Sequence, residues 1–324
     1  MSALLSIEDL HIGIKRRKGA EEIVRGVTIE VQPGEKVGIV GESGSGKTLT
    51  MLSVLRLLAS PPLSVLSGEV LLDGEDLARV DDKRLRAVRG GDIAMVYQDP
   101  MSSLNPLLRV GSQIEEALRA HGADMATAQA RTRDVLLEVG LDDPERVRTS
   151  FPHQLSGGMI QRVMIAMALA TSPRILIADE PTTALDVTIQ RQILELVTSL
   201  QATTGMAVLW VTHDLGGVAS LVDRVIVMYA GRIVETAPTE QLFTRPTHPY
   251  TKALLESLPG LETPHRAPLH QIGGTPPDPT RLSAGCPFRF RCPYKIAQCE
   301  LEEPPLIDRG EGSFAACWRD PAEW

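Results

Sequence analysis

One stretch of the chain has the residue types needed to hold phosphate groups. It reads Gly-Glu-Ser-Gly-Ser-Gly-Lys-Thr over residues 41–48, after an apolar strand pattern at 37–40 and before a helical pattern at 49–58. Glycines let consecutive backbone N–H groups turn toward phosphate oxygens, and the start of the helix adds partial positive charge. In such a loop the lysine reaches the terminal phosphates and the final hydroxyl can ligate Mg²⁺. We therefore predict a nucleotide phosphate site made of Gly41, Ser43, Gly44, Ser45, Gly46, Lys47 and Thr48.

A second apolar strand pattern ends in two carboxylates. Residues 175–178 read Ile-Leu-Ile-Ala and are followed by Asp179 and Glu180. Open α/β sheets bind their ligands at the carboxyl ends of the strands. We expect Asp179 to hold Mg²⁺, and Glu180 to polarise a water molecule that attacks the terminal phosphate.

A further candidate site for an anion lies 20 residues before that strand. Leu155-Ser-Gly-Gly-Met159 begins a helical pattern, so Ser156, Gly157 and Gly158 offer a hydroxyl and bare backbone amides at a helix start. The loop at 41–48 already serves the nucleotide of its own subunit. A second phosphate-facing element therefore indicates a second nucleotide that is shared across a dimer.

All the cysteines of the chain lie in its last 39 residues. They are spaced C-x₅-C-x₆-C-x₁₇-C, as Cys286, Cys292, Cys299 and Cys317. A reducing cytosol disfavours disulfides, whereas four thiolates suit either a zinc ion or an iron–sulfur cluster. The lack of a C-x₂-C pair weakens zinc, and free thiols are the third possibility. For a cluster, we expect Arg289, Arg291 and Lys295 to offset its negative charge.

The elements that would position these residues belong to an α/β fold. Apolar runs rich in β-branched residues alternate with helical patterns, as in a sheet that is buried on both faces. These runs are 37–40, 93–97, 175–178, 208–211 and 225–228. The segments 4–12, 23–31 and 69–72 alternate, as in a half-exposed antiparallel sheet, and about 99–165 has helical spacing only. We predict an α/β core with an antiparallel β subdomain and an inserted helical subdomain.

Composition limits the class of protein and divides the chain. The 324 residues carry a net charge of −8, which excludes the basic footprint of a non-specific nucleic-acid binder. No apolar stretch is long enough to span a membrane, and no secretory signal is expected at the start, so we predict a cytosolic protein. Of the 23 prolines, 14 lie from Pro238 onward. We predict a catalytic domain at 1–258, followed at 259–324 by a proline-rich linker and a small cysteine-rich domain.

These motifs, in this order, resemble those of ABC-transporter ATP-binding subunits. Four longer segments are similar to the dipeptide/oligopeptide importer branch of that family. They are YQDPMSSLNP at 97–106, LSGGMIQRVMIAMAL at 155–169, DEPTTALDVTIQ at 179–190 and THPYTKALL at 247–255. The resemblance covers essentially the whole chain and implies a P-loop NTPase core of ABC type.

The resemblance also implies roles for individual residues. Gln98 would touch Mg²⁺ and the attacking water, and the surface beside it would receive a helix of a membrane subunit. Ser156, Gly157 and Gly158 would contact the γ-phosphate held by the opposite subunit. Asp186, in Ala184-Leu185-Asp186, would cross the dimer interface, and His213 would clamp the γ-phosphate and the water. Ile14 stands where the family has an adenine-stacking aromatic residue, and the four cysteines would hold a [4Fe–4S] cluster.

For the function, the resemblance implies ATP hydrolysis that powers peptide import. The partners would be a second, homologous ATPase subunit, two transmembrane permease subunits and an extracytoplasmic solute-binding protein, with no nucleic acid. The location would be the cytoplasmic face of the plasma membrane. One alternative keeps the mechanism but changes the cargo to nickel, an opine or glutathione, and another is a soluble ABC ATPase that acts on translation or DNA.

Overall fold

The computed structural model describes residues 3–16, 19–182, 186–258, 271–282 and 284–324. The strands within these ranges are β1 Leu5–Lys15, β2 Ala20–Val31, β3 Lys36–Val40, β4 Leu63–Leu72, β5 Glu75–Asp76, β6 Ile93–Val96, β7 Ile175–Asp179, β8 Ala207–Thr212, β9 Arg224–Tyr229, β10 Arg232–Pro238, β11 Ile307–Gly310 and β12 Ser313–Ala315. The α-helices are α1 Lys47–Val54, α2 Asp82–Ala87, α3 Pro100–Ser103, α4 Val110–Ala120, α5 Met125–Glu138, α6 Pro144–Thr149, α7 Gly157–Leu169, α8 Val187–Thr204, α9 Leu215–Val218, α10 Thr239–Thr244, α11 Pro249–Glu256 and α12 Gln298–Leu301. Ala184, Leu185 and residues 259–270 of the predicted linker lie outside the described residues.

The chain divides into two compact units. The first consists of residues 1–31, 36–78 and 211–324, and the second of residues 32–35 and 79–210. Strand β8 continues across this division. The boundary at residue 258 that we expect from composition stays a prediction.

An antiparallel sheet of the first unit has the strand order β2-β1-β4-β5. Leu5 of β1 lies opposite Val31 on one side and Leu72 on the other, and all three side chains are buried. The alternation of apolar and polar residues along β1 and β2 places one face of this sheet in the core. The antiparallel subdomain predicted from the sequence is confirmed.

A second group of strands in the first unit includes β3, which ends directly before the loop at 41–48. Strands β3 and β9 are parallel, with Val37 opposite Arg224 and Val40 opposite Val227. Strand β9 pairs antiparallel with β10, β10 with β12, and β12 with β11. The apolar runs predict β3 and β9, whereas β10, β11 and β12 are not among the predicted strands.

The second unit contains the predicted helical insertion. Strands β6 and β7 are parallel, with Ile93 opposite Ile175, and the regular elements described between them are helices. Helix α5 starts at an Asp124 side chain that accepts a hydrogen bond from the Thr127 amide, which is a favourable helix start. Strand β7 is buried along its whole length, as its apolar sequence predicts.

No helix in the described ranges combines the length and the apolarity needed to cross a bilayer.

Candidate functional site

The loop at 41–48 connects β3 to α1 in the first unit, and its glycines are needed for its shape. Gly46, directly before α1, has a φ of 98°, which residues with a Cβ rarely adopt. A Cβ on Gly41 would lie 2.2 Å from the Met228 carbonyl oxygen, so any larger residue would push the loop away from β9. The sequence therefore folds this segment into a tight turn that presents its backbone at the start of a helix.

Lys47 lies inside this turn. Its side chain is buried, with 4% of the residue exposed, and its Nζ donates to the carbonyl oxygens of Gly41 at 2.8 Å and Glu42 at 3.1 Å. The buried Ser45 Oγ has no hydrogen-bond partner among the described residues. An ammonium group, a buried hydroxyl and a helix start thus lie together, which is a suitable donor set for phosphate oxygens.

The second residue of the loop is fixed by groups distant in sequence. Glu42 forms a two-point ion pair with Arg291, in which Nη1 lies 2.6 Å from Oε2 and Nη2 lies 2.9 Å from Oε1. The Glu42 amide donates to the Tyr250 hydroxyl at 2.9 Å. The sequence analysis missed these contacts, because 249 residues separate Glu42 from Arg291.

Each of the three predicted charge partners of the cysteines is paired with a glutamate. Arg289 and Lys295 both pair with Glu300, at 3.2 and 3.0 Å. Arg291 pairs with Glu42, and the hydrogen bond to this carboxylate raises the pKa of the guanidinium. Arg291 therefore pairs with the loop at 41–48, the proposed phosphate loop, rather than with the cysteines.

In the second unit, the structure brings two predicted catalytic residues together. Glu180 follows β7, and its Oε2 accepts a hydrogen bond from Gln98 Nε2 at 3.0 Å. Glu180 has a φ of 47°, an unusual value for a residue with a side chain, and such strain is often found at functional sites. Asp179, the last residue of β7, is 3% exposed. A carboxylate and an amide are thus paired beside a second, buried carboxylate.

Two helix starts in this unit carry the residues predicted to face a partner subunit. Ser156 caps α7, and its Oγ accepts a hydrogen bond from the Met159 amide at 3.4 Å. Asp186 caps α8, and its Oδ1 accepts from the Ile189 amide at 3.0 Å. Ser156 and Asp186 are both exposed, as a contact with another chain would require. Their roles across a dimer stay predictions.

Two further predicted site residues of the first unit are His213 and Ile14. His213 is exposed and lies between β8 and α9. Ile14 is half-buried in β1, opposite Glu21 on β2 and Leu63 on β4. Their proposed contacts with the γ-phosphate and with adenine stay predictions.

The four cysteines line one cavity of the first unit, together with His248, Arg289 and Arg319. None forms a disulfide. Burial raises the pKa of the Cys286 thiol to about 12 and that of Cys292 to about 11, and it also raises the pKa of Cys317. Among the described residues, no three His, Cys, Asp or Glu side chains are arranged so that they could hold one metal ion.

Two buried titratable residues, Glu235 and His248, form hydrogen bonds with the backbone around the start of α11. Glu235 of β10 accepts hydrogen bonds from the Thr247 amide and hydroxyl and from the His248 amide, and burial raises the pKa of its carboxyl. His248 is 1% exposed, and its Nδ1 accepts from the Tyr250 amide at the start of α11. Burial lowers the pKa of His248 to about 3.

Comparison with protein families gives two matches along the chain. The profile described as "ABC transporter" matches residues 24–183. The profile described as "Oligopeptide/dipeptide transporter, C-terminal region" matches residues 234–299. The first match covers the phosphate loop and the Asp179–Glu180 pair, and the second includes three of the four cysteines.

Similar proteins cover almost the full length of the chain. A probable peptide ABC transporter ATP-binding protein of Sinorhizobium fredii is 48% identical over 317 residues, which are 98% of this chain and 95% of the relative. The dipeptide transport ATP-binding protein of Bacillus subtilis is 46% identical over 319 residues, which are 98% of this chain and 95% of the relative.

Solved structures show the same fold. A dimeric ATP-binding cassette in a post-hydrolysis state, bound to ADP and phosphate, has a TM-score of 0.64 and 29% identity and covers 72% of this chain and 98% of its own. A subunit of a cbiONQ ABC transporter complex from Clostridium perfringens also has a TM-score of 0.64, with 25% identity, and covers 75% of this chain and 91% of its own. The fold is that of an ABC ATPase cassette.

Proposed function

Because this chain belongs to the family of ABC transporter ATP-binding proteins, we propose that it hydrolyses ATP to power the import of dipeptides and oligopeptides. The cargo is inferred from relatives that are named for peptide and dipeptide transport. The observation that carries the chemistry is the Gln98–Glu180 hydrogen bond beside the buried Asp179. A carboxylate held in this way can orient and polarise a water molecule.

The residues of the proposed ATP site have distinct tasks. Gly41, Ser43, Gly44, Ser45 and Gly46 supply backbone and hydroxyl donors to the phosphates, and Lys47 supplies a positive charge. Thr48, Gln98 and Asp179 would hold Mg²⁺, which neutralises charge on the phosphate oxygens. Glu180 takes a proton from the attacking water, and His213 donates a hydrogen bond to the γ-phosphate.

We propose that the working unit is a dimer with a second, homologous ATPase chain. Ser156, Gly157, Gly158 and Asp186 would then complete the nucleotide site of the partner. ATP would favour the closed dimer because its γ-phosphate gains contacts from both subunits, and hydrolysis would remove those contacts. The exposed positions of Ser156 and Asp186 support this arrangement.

The same proposal includes the location and the membrane partners. Two permease subunits would bind the pair of ATPases at the cytoplasmic face of the plasma membrane, and an extracytoplasmic solute-binding protein would deliver the peptide. Closing and opening of the ATPase dimer would then drive alternating access in the permeases.

Transport assays with the assembled complex test this function. Inverted vesicles that carry the complex and enclose the solute-binding protein with a labelled dipeptide should release the dipeptide when ATP is added. In the Glu180→Gln variant we expect ATP binding to persist while hydrolysis and transport fall by at least about 100-fold, because the base is lost. Turnover close to the wild-type rate would reject Glu180 as the base. ATP-driven movement of nickel, an opine or glutathione, but not of peptides, would reject the peptide cargo.

We also propose that Cys286, Cys292, Cys299 and Cys317 hold a [4Fe–4S] cluster, with a zinc ion as the second candidate. Four thiols that line one cavity, with two arginines in its wall, fit the chemistry of a thiolate-ligated group. Since no three of the described donors are arranged for a metal, the sulfur atoms would have to converge when the group binds. A bound cluster would supply a covalent link between segments that have little core of their own.

Metal analysis of protein purified without oxygen tests the cluster. We expect about four iron atoms and about four labile sulfides per chain. A Cys292→Ser variant should lose the cluster, whereas Ala284→Ser, which introduces the same hydroxyl at an exposed position of the same segment, should keep it. One zinc per chain without sulfide would replace the cluster by zinc, and the absence of both would leave free thiols.

A further inference from the structure

The C-terminal segment, described at residues 271–282 and 284–324, contacts the phosphate loop through one buried arginine, Arg291. The Arg291 side chain is 4% exposed, and each of its guanidinium nitrogens has a partner. Nη1 and Nη2 bind the Glu42 carboxylate, Nη1 also donates to the Tyr229 hydroxyl at 3.3 Å, and Nε donates to the Gly273 carbonyl at 2.9 Å. The Ile272 carbonyl accepts from Nη2 at 3.2 Å. Arg291 is therefore held in one position by groups of its own segment and of β9.

Glu42 is held from its backbone as well as from its side chain. Its amide donates to the Tyr250 hydroxyl, and the rings of Tyr250 and Tyr229 lie 4.6 Å apart. Phe288, in the cysteine-bearing segment, contacts the rings of Tyr229 and Tyr250 at centroid distances of 5.3 and 5.4 Å. The aromatic cluster of Tyr229, Tyr250 and Phe288 thus places the C-terminal segment directly against the second residue of the loop.

The negative charge of Glu42 would affect the binding of a nucleotide at this loop. Its carbonyl oxygen accepts a hydrogen bond from the Lys47 ammonium at 3.1 Å, so a carboxylate belongs to the same turn that would bind the phosphates. An unpaired carboxylate there would repel a nucleoside triphosphate. The two-point pair with Arg291 cancels this charge and also fixes the carboxylate in one orientation.

We propose that Arg291 is a positioning residue for the phosphate loop, which acts through Glu42 and makes the affinity for ATP depend on the C-terminal segment. This inference rests on the proposed assignment of residues 41–48 to the ATP phosphates. Every contact of Arg291 described above is made with protein atoms.

Equilibrium titration of the full chain with a fluorescent ATP analogue and Mg²⁺ tests the proposal. We expect Arg291→Met to weaken binding by roughly ten-fold, because it leaves the Glu42 carboxylate uncompensated. The double variant Glu42→Gln/Arg291→Met removes that carboxylate and should bind within about three-fold of the wild type. At about 1 M salt, the ratio of the Arg291→Met and wild-type Kd values should fall toward one, because the repulsion is screened.

Matched variants separate this role from simple destabilisation. Arg25→Met breaks another ion pair of the C-terminal segment, with Glu303 at 2.6 Å, and should lower the melting temperature while leaving the Kd for ATP within about two-fold. Arg291→Gln keeps hydrogen-bond donors for the neighbouring oxygens, so it replaces Arg291→Met if that variant does not fold, and the same loss of affinity is expected.

The outcomes distinguish this inference from the assignment of the ATP site. Wild-type affinity in Arg291→Met or Arg291→Gln would overturn the inference, and so would a double variant that binds as weakly as Arg291→Met. Lys47→Ala should weaken binding more than any of these changes. If Lys47→Ala binds ATP normally, the assignment of residues 41–48 is wrong.

Discussion

Individual residues of the phosphate loop show both the strength and the limit of sequence reasoning. The spacing of glycines, Lys47 and Thr48 predicts a tight turn before a helix, and the structure has that turn, with α1 beginning at Lys47. No local sequence pattern predicts the ion pair of Glu42 and Arg291, because the two residues are 249 positions apart. From its positive charge, Arg291 is expected to lie beside the cysteines. The structure shows instead that it contacts the phosphate loop.

His248 provides a pH-dependent test at the scale of one residue. Burial, the largest cause, lowers the pKa of His248 to about 3, and the charge of Arg309 acts in the same direction. In the unfolded chain the imidazole has a pKa near 6.5. Below that pH the unfolded chain binds a proton that the native protein does not, so stability is lost as the pH falls. Between pH 7 and pH 5 we expect this residue to lower the free energy of unfolding by about 2 kcal/mol.

Denaturant unfolding of the wild type and of His248→Asn at both pH values measures this contribution. The asparagine Oδ1 can replace Nδ1 as the acceptor for the Tyr250 amide, but it does not titrate. The loss of stability between pH 7 and pH 5 should therefore be about 2 kcal/mol smaller in the variant. An equal loss in both proteins would show that His248 does not carry this pH dependence.

At the scale of elements, the buried strands were predictable and the C-terminal strands were not. The runs at 37–40, 175–178 and 208–211 are apolar throughout, and each lies within a strand of the structure. Strand β10 contains the buried Glu235, which interrupts the apolar pattern. Strands β11 and β12 have four and three residues, too few for a periodic signal. The pairing of β12 also depends on β10, which is distant in sequence, so local propensity does not reveal it.

The helix start at Ser156 could be predicted from sequence because capping is local, whereas the sequence analysis names no helix start at Asp186. Ser156 and Asp186 each accept a hydrogen bond from an amide three residues later, which is the contact that these residue types make at a helix start. The hydrogen bond between Gln98 and Glu180 joins residues 82 positions apart. The strand that precedes Glu180 predicts its role, and family resemblance gives a role to Gln98, but the contact between them requires the structure.

At the scale of the whole molecule, the proposed function requires permeases and a second ATPase. The segment after Gln98 exposes apolar side chains, with Leu107 the most exposed among the large ones described. A surface of this kind is typical of a protein interface. We expect affinity purification of the chain from native membranes to recover two permeases and a homologous ATPase.

A pair of substitutions makes this assembly prediction specific. Leu107→Asp should reduce the recovery of the permeases by roughly ten-fold, since it places a charge on the proposed contact surface. Leu137→Asp changes another exposed leucine, on α5, and should leave recovery unchanged. Both variants should bind ATP like the wild type. Equal recovery of the permeases with the two variants would place the contact surface elsewhere.

The pairing of β12 with β10 also affects the behaviour of the protein in solution. Without β12, the N–H and C=O groups on one side of β10 would form an open strand edge, and such edges promote aggregation. The C-terminal segment covers this edge with Glu235 opposite Ala315, and the outermost strand β11 is short and carries Asp308 and Arg309. A segment that contacts the phosphate loop therefore also protects the sheet from pairing with other chains.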